Sequence, residues 1–217
     1  MVLAIFDVDH TLLRADTLKL FGLFLLKRKG IRLSRLPGFI TCLSRRFLLL
    51  TDAEKLKTAY VRMLCGGMRE AEVSVLSRDF AETRLLPKIF PQALERIERH
   101  KADGHEIVLL SASLDVYLEF LAQMLGADVL ICTKLLRQDG FLTGDLHGAN
   151  CKGPEKLRRL LAHYGEKTID WRRSYAYSDS STDLPVLERV GTAVAVNPDR
   201  KLARMTIDRG WQIQYWE

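Results

Sequence analysis

Apolar positions along the chain fall into two regimes. The opening residues VLAIFD form a short apolar run ending in a carboxylate, the pattern of a strand buried on both faces of a parallel sheet. From about Asp16 to Pro87 the spacing becomes helical, with no strand. LKLFGLFLLKRKG, GFITCLSRRFLLL, TDAEKLKTAYVRML with Thr51 and Asp52 placed to cap it, and MREAEVSVLSRDFAETRLL predict a set of helices. After Pro91 helix and strand alternate. QALERIERHKADG predicts a helix stopped by Gly104, HEIVLLS a strand, SLDVYLEFLAQMLG a helix capped by Ser113 and closed by Gly126, and ADVLICT a strand. RQDGFLTGDL predicts a hairpin turning at Asp139 and Gly140. GPEKLRRLLAHYG follows as a helix, RSYAYSDSS as a strand running into a polar turn, and TDLPVLERV as a short helix. TAVAV reads as a strand, PDRKLARMTIDRG as a helix starting near Pro198, and WQIQYW as a last strand.

This alternation predicts an α/β fold with a doubly wound, Rossmann-like, mostly parallel sheet, and the helical block after the first strand predicts an inserted α-helical cap. The expected division is a core domain of residues 1–15 and 88–217 and a cap domain of residues 16–87.

Composition narrows the setting. A chain of 217 residues, 47% of them hydrophobic, is long enough for one sizeable domain with a smaller inserted module. Its four cysteines contain no C-x-x-C pair and its five histidines join no cluster with zinc-ligand spacing, so reduced thiols and a cytoplasmic protein are expected. No signal peptide is expected from the N-terminal pattern. The net charge of +6 is uneven: residues 17–50 hold eight lysines and arginines and no acid, leaving −2 for the rest. Such a patch attracts anions, whether a phosphorylated metabolite, an anionic membrane surface or nucleic acid; its bland alternative is a solvated helix face. With no recognisable nucleic-acid-binding motif, no nucleic-acid partner is expected. The oligomeric state is not set by the sequence.

Three predicted strand ends are polar: Asp7-Val8-Asp9, Ser111-Ala112-Ser113, and Ser178 to Asp183. The carboxyl ends of strands are where a doubly wound sheet binds its ligand. Asp7, Asp9, Asp179 and Asp183 together make an oxygen-rich site suited to a hard cation such as Mg²⁺, although a D-x-D pair alone is weak evidence. A metal between carboxylates and a phosphate would leave Asp7 free to attack phosphorus. Strand side chains alternate, so Asp9 needs the chain to turn at once if it is to reach the leaving-group oxygen. It would then protonate that oxygen and later deprotonate the attacking water. Ser111 and a lysine would hold the nonbridging oxygens; taken singly, Ser111 reads as a helix cap and Lys152 and Lys156 as solvated groups.

In this order, and over nearly the whole chain, DVDHT, VLLSAS, KGPEK and YSDSSTD resemble the four motifs of the haloacid dehalogenase superfamily. The likeness is to its phosphatase branch similar to phosphoserine phosphatase (subfamily IB), which carries a helical cap between the first two motifs. The resemblance implies that Asp7 is the nucleophile of an aspartyl-phosphate, Asp9 the acid/base, and Thr11 and Ser111 phosphate ligands. It implies Asp179 as a Mg²⁺ ligand with Asp7 and the Asp9 carbonyl, and Asp183 as a supporting carboxylate of that metal site. It leaves Lys152 and Lys156 open, four residues apart on one helix face, with Lys156 preferred. His10, where Gly or Ser is common, reads as local packing. SAS in place of Ser-Gly-Gly, and Asp16 in place of a glutamate that meets the substrate ammonium, argue against phosphoserine itself. Asp16 either contacts a cationic or hydroxylated leaving group or caps the first cap helix.

The expected activity is therefore Mg²⁺-dependent hydrolysis of a small phosphorylated metabolite. One alternative keeps the chemistry on a lipid phosphate at an anionic membrane surface, where LKLFGLFLL and GFITCLSRRFLLL would lie, being too short and interrupted to span a bilayer. The other is a non-catalytic binding protein on the same fold.

Overall fold

The computed structural model describes residues 1–29, 36–47, 52–165 and 168–217. Six strands form one sheet, all pairs parallel: β1 (Leu3–Phe6), β2 (Glu106–Leu114), β3 (Val129–Thr133), β6 (Tyr175–Ser178), β7 (Thr192–Val196) and β8 (Gln212–Gln214), in the order β3-β2-β1-β6-β7-β8. The remaining two, β4 (Leu135–Gln138) and β5 (Phe141–Leu146), pair as an antiparallel hairpin. Asp139 and Gly140 both take positive φ, 51° and 77°, the geometry that a two-residue turn between twisted strands requires.

LAIF is apolar without interruption because both faces of β1 are covered. Ala4 and Phe6 enter one core with Ile97 of α5 (Pro91–Ala102) and Leu118 and Leu121 of α6 (Asp115–Leu125). Leu3 and Ile5 enter the other with Leu160 of α7 (Pro154–Tyr164), Leu187 of α8 (Leu184–Leu187) and Leu202 of α9 (Arg200–Arg209). β1 is central, with chain passing to β2 on one side and β6 on the other, so its carboxyl end sits at the switch point of the sheet.

Between β1 and α5 come α1 (Thr17–Lys29), α2 (Leu36–Phe47), α3 (Ala53–Cys65) and α4 (Glu70–Phe80). Asp52 caps α3, accepting from Lys55 N at 2.7 Å. The α4 rod continues through a π-helical turn (Ala81–Leu85) and a 3₁₀ turn (Leu86–Lys88). Phe21, Phe24, Val61 and Phe80 from these helices join the core of Ala4 and Phe6. The hairpin packs on α3 so closely that Gly144, at φ 88°, has no room for a side chain: a Cβ would lie 2.5 Å from Arg62 Cα. Sequence order assigned that hairpin to the sheet domain, whereas it lies against the helical block.

Three local expectations are corrected. Ser113 is not the cap of α6: β2 runs on to Leu114, and the Ser113 hydroxyl is drawn to Asp9 instead. Lys152 does not share a helix face with Lys156, because Gly153, at φ 58°, breaks the chain before α7 begins at Pro154. And α9 starts at Arg200, capped by Asp199, which accepts from Leu202 N at 2.7 Å. Thr51, Arg32, Arg35 and the end of the second predicted helix at 48–50 lie outside the described residues. Among the described residues no helix is long and apolar enough to cross a membrane.

Candidate active site

β1 delivers Asp7 to the switch point, where its N–H extends the ladder to Tyr177 O at 3.0 Å. The chain then turns as the D-x-D chemistry demands. Leu12 N and Leu13 N both donate to Val8 O at 3.0 Å, and His10 takes the left-handed conformation, φ 58°. Such a turn ends the strand's alternation and lets Asp7 and Asp9 serve one cleft.

From the first turn of α7, Lys156 Nζ donates to Asp7 Oδ1 and to Asp183 Oδ2, both at 2.6 Å. Ser178 Oγ donates to the same Asp183 oxygen at 2.7 Å, and Asp183 Oδ1 is buried with no partner. Thr11 Oγ1 lies between Asp7 Oδ2 at 3.5 Å and Asp179 Oδ1 at 3.4 Å, contacts too long to satisfy either carboxylate. Ser111 Oγ accepts from Ser113 N at 3.0 Å, which leaves its own hydrogen to give. Asp9 accepts from Thr17 N at 2.9 Å on Oδ1 and from Ser113 Oγ at 2.5 Å on Oδ2.

Charge in this pocket does not balance. Burial pushes the Asp7 carboxyl up to about 8 against the pull of Lys156, and Asp183 and Asp9 add to the rise. Burial likewise raises Asp179 to about 6, opposed by the field of His10. Burial disfavours the Lys156 ammonium, but Asp7 and Asp183 outweigh it and hold the lysine above its ordinary value. One buried ammonium thus bonds two carboxyl groups, with a third, Asp179, beside them and one buried oxygen, Asp183 Oδ1, unpaired. A divalent cation fits that deficit. Among the described residues no three His, Cys, Asp or Glu side chains form a closed cage. Magnesium does not need one, since it is commonly held by one or two carboxylates and keeps several waters. The Asp7 and Asp179 carboxyl groups, loosely bridged by Thr11, are the pair suited to it. Asp183 Oδ2 is taken up by Lys156 and Ser178, which leaves its buried Oδ1.

Two predicted residues stand apart. Asp16 accepts from Lys19 N at 3.0 Å and pairs with Lys19 Nζ at 2.9 Å, so it caps α1, one of the two readings open to it. Lys152 is exposed and lines a cavity of about 1080 Å³ bounded by α3, Cys42 of α2, the loop 150–154 and Thr182.

The structure adds a residue that sequence reasoning missed. Lys57 of α3 donates through Nζ to Ala112 O at 2.5 Å and to Asn150 Oδ1 at 2.6 Å. Ala112 lies between Ser111 and Ser113, and Asn150 lines the cavity. Burial among neutral oxygens pushes the Lys57 ammonium down to about 8, partly offset by the field of Asp9. Nothing in the sequence marks it, since a lysine in AEKLKTAY reads as one more solvated helix position.

A model of the family described as haloacid dehalogenase-like hydrolase matches residues 4–188. A phosphoserine phosphatase of Mycobacterium tuberculosis is 30% identical over 97% of this chain and 70% of its own length. A histidinol-phosphatase of Neisseria meningitidis is 28% identical over 97% of both chains. Among solved structures, a protein of unknown function from Bordetella pertussis superposes with a TM-score of 0.84 at 27% identity, covering 97% of this chain and 96% of that one.

Proposed function

The chain belongs to the haloacid dehalogenase-like hydrolases, and from that premise we propose that it is a Mg²⁺-dependent phosphatase that hydrolyses a small phosphorylated metabolite through an aspartyl-phosphate on Asp7. The observation that carries this reading is the pairing of Asp7 Oδ1 with buried Lys156 while Asp7 Oδ2 has only the long contact to Thr11. One oxygen is fixed and the other is left to react.

In the first step Asp7 Oδ2 bonds to phosphorus, the bond from phosphorus to the leaving oxygen breaks, and its electron pair leaves with that oxygen, which Asp9 protonates. In the second step Asp9 takes a proton from water, the water oxygen bonds to phosphorus, and the Asp7–phosphorus bond opens to return the carboxylate. Thr11, Ser111 and Lys156 steady the phosphoryl oxygens, and Asp183 steadies Lys156. Asp7, Asp179 and the Asp9 carbonyl would hold Mg²⁺, which when bound polarises a phosphoryl oxygen. Lys57 adds a cation beside Ala112, near the end of β2.

We read residues 16–87 as the cap over a core of 1–15 and 88–217, and the cavity under α3 as the seat of the leaving group. Its lining includes Lys152, which points this lysine toward the leaving group rather than the transferred phosphate. The phosphoserine and histidinol-phosphate relatives share an ammonium-bearing leaving group. Here Asp16, the carboxylate aligned with such recognition, is occupied as a helix cap, so a neutral or anionic leaving group is the better fit. Four free cysteines among the described residues suit a reducing cytoplasm. Purified protein with Mg²⁺ should release p-nitrophenolate from p-nitrophenyl phosphate, and Asp7→Asn should abolish it; turnover by that variant at the wild-type rate would exclude Asp7 as nucleophile.

A further inference from the structure

Behind Asp9 runs a line of hydroxyl groups that the two steps above leave without a task. We propose that Ser113, backed by Thr17, is a positioning residue that holds the Asp9 carboxyl in the orientation from which it gives its proton to the leaving group. The proposal rests on the acid/base role put forward for Asp9.

Ser113 Oγ donates to Asp9 Oδ2 at 2.5 Å, and Thr17 Oγ1 donates to Ser113 Oγ at 2.8 Å. Tyr117 OH lies 3.2 Å from Thr17 Oγ1 and accepts from Leu114 N at 3.3 Å. Thr17 and Tyr117 are wholly buried and Ser113 is 3% exposed. With Asp9 as the base that takes a proton from water, the hydrogens in this line have one consistent assignment. A carboxylate only accepts, so Ser113 gives its hydrogen to Asp9 and accepts from Thr17. Thr17, having given its own, accepts from Tyr117, whose oxygen takes the Leu114 amide. All three hydroxyl dipoles therefore point toward Asp9, an arrangement in which each bond strengthens the next.

Thr17 contributes twice, because its backbone N–H holds the other oxygen, Asp9 Oδ1, at 2.9 Å. A carboxyl group turns freely about its last torsion, and a bond on each oxygen removes that freedom. Each oxygen keeps a further lone pair for a proton in transit. The anchors come from α1, the end of β2 and α6, so orientation of the acid depends on how the first cap helix sits on the sheet. Ser113 lies in a β2 extension where a helix cap was expected, and its hydroxyl serves Asp9 instead of α6.

Leaving-group acidity separates this role from a merely structural one. p-Nitrophenolate departs as a stable anion and needs little protonation, whereas phenolate, derived from an alcohol as weakly acidic as a tyrosine side chain, needs the proton from Asp9. The experiment compares kcat and KM for p-nitrophenyl phosphate and phenyl phosphate, with Mg²⁺, in wild type, Ser113→Ala, Thr17→Val, Thr17→Ser and Asp9→Asn, with melting temperatures recorded. Ser113→Ala and Thr17→Val should lower kcat/KM, which reports the first step alone, roughly tenfold for phenyl phosphate and less than about threefold for p-nitrophenyl phosphate; a loss in the second step, common to both substrates, lowers kcat alike for both. Thr17→Ser, which keeps the hydroxyl, should restore kcat/KM for phenyl phosphate, and Asp9→Asn should discriminate between the substrates more strongly. Equal losses of kcat/KM on both substrates, or none, in Ser113→Ala and Thr17→Val while Asp9→Asn still discriminates would overturn the positioning role alone. Asp9→Asn lowering kcat/KM equally for both substrates would overturn the role of Asp9 and this proposal with it.

Discussion

Replacing Lys156 with methionine keeps an unbranched side chain as far as Cε and removes the ammonium that joins Asp7 to Asp183. Both bonds are 2.6 Å and all three side chains are 4–11% exposed, so water cannot substitute for the lost charge. Removing one partner of a buried ion pair costs about 3–5 kcal/mol. The structure also gives the loss a pH dependence. Burial already lifts Asp7 to about 8 with the lysine present, and removing the lysine, whose charge lowers it, lifts it further. Below about 8 the Asp7 carboxyl is protonated in both folded proteins and the unfolded chains ionise alike, so Asp7 adds no pH dependence to the difference between them. Above about 8 the wild-type carboxylate forms beside the ammonium while the variant's carboxyl stays neutral, which widens the gap by up to about 1.4 kcal/mol per pH unit. The destabilisation should therefore be about 3–5 kcal/mol at pH 7, a fall in Tm of roughly 6–20 °C for a chain of this size, and grow by about 1 kcal/mol by pH 9. Urea unfolding of both proteins in EDTA at the two pH values measures it. Asp183→Asn added to Lys156→Met should recover part of the loss at pH 7. A penalty that is the same at pH 7 and pH 9 would refute the charge argument.

Further outcomes are expected elsewhere. Lys57→Met should weaken inhibition by orthovanadate or inorganic phosphate roughly tenfold, the worth of one charge-assisted hydrogen bond, while Tm stays near wild type because Thr133 Oγ1, 2.7 Å from Ala112 O and 2.9 Å from Asn150 Oδ1, still gives its one hydrogen to one of them; an unchanged inhibition constant would remove Lys57 from the anion site. Metal-free protein should gain about 2.7 kcal/mol of stability at a Mg²⁺ concentration a hundred times its Kd. Asp179→Asn should lose most of that gain, and a melting curve indifferent to Mg²⁺ in wild type would count against the cation site. Burial, with repulsion from His105, pushes His100 down to about 4, so its contribution is present above the unfolded value of about 6.5 and is lost as pH falls toward 4. His100→Phe should flatten the acid-side fall in stability by about 1–2 kcal/mol between pH 7 and pH 4.5, less than the full shift because His105 Nδ1 lies 2.9 Å away and can share the proton. Identical pH slopes in the two proteins would show that His100 does not titrate with unfolding.

The order of apolar and polar residues along the chain sets the elements and their succession, because those depend on local physics. LAIF must be buried on both faces, Gly126 ends α6 in the left-handed conformation, and Asp139-Gly140 makes a hairpin turn. It also brought Asp7, Thr11, Asp179 and Asp183 into one expected cluster, since parallel strands deliver their carboxyl ends to one rim. It did not determine which side chains meet there. The spacing of Lys152 and Lys156 suggests one helix face, but Gly153 reverses the backbone between them, and only Lys156 enters the buried pocket. Ser113 looked like a cap because the pattern places it before a helix; what claims it is the Asp9 carboxylate, 104 residues away. Lys57 carried no signal, for its burial comes from α3 lying across the end of β2 and the loop before α7. Hydrogen bonds between distant segments depend on distances of a few tenths of an ångström, and those are fixed only when the helices dock, after every local preference has already been satisfied.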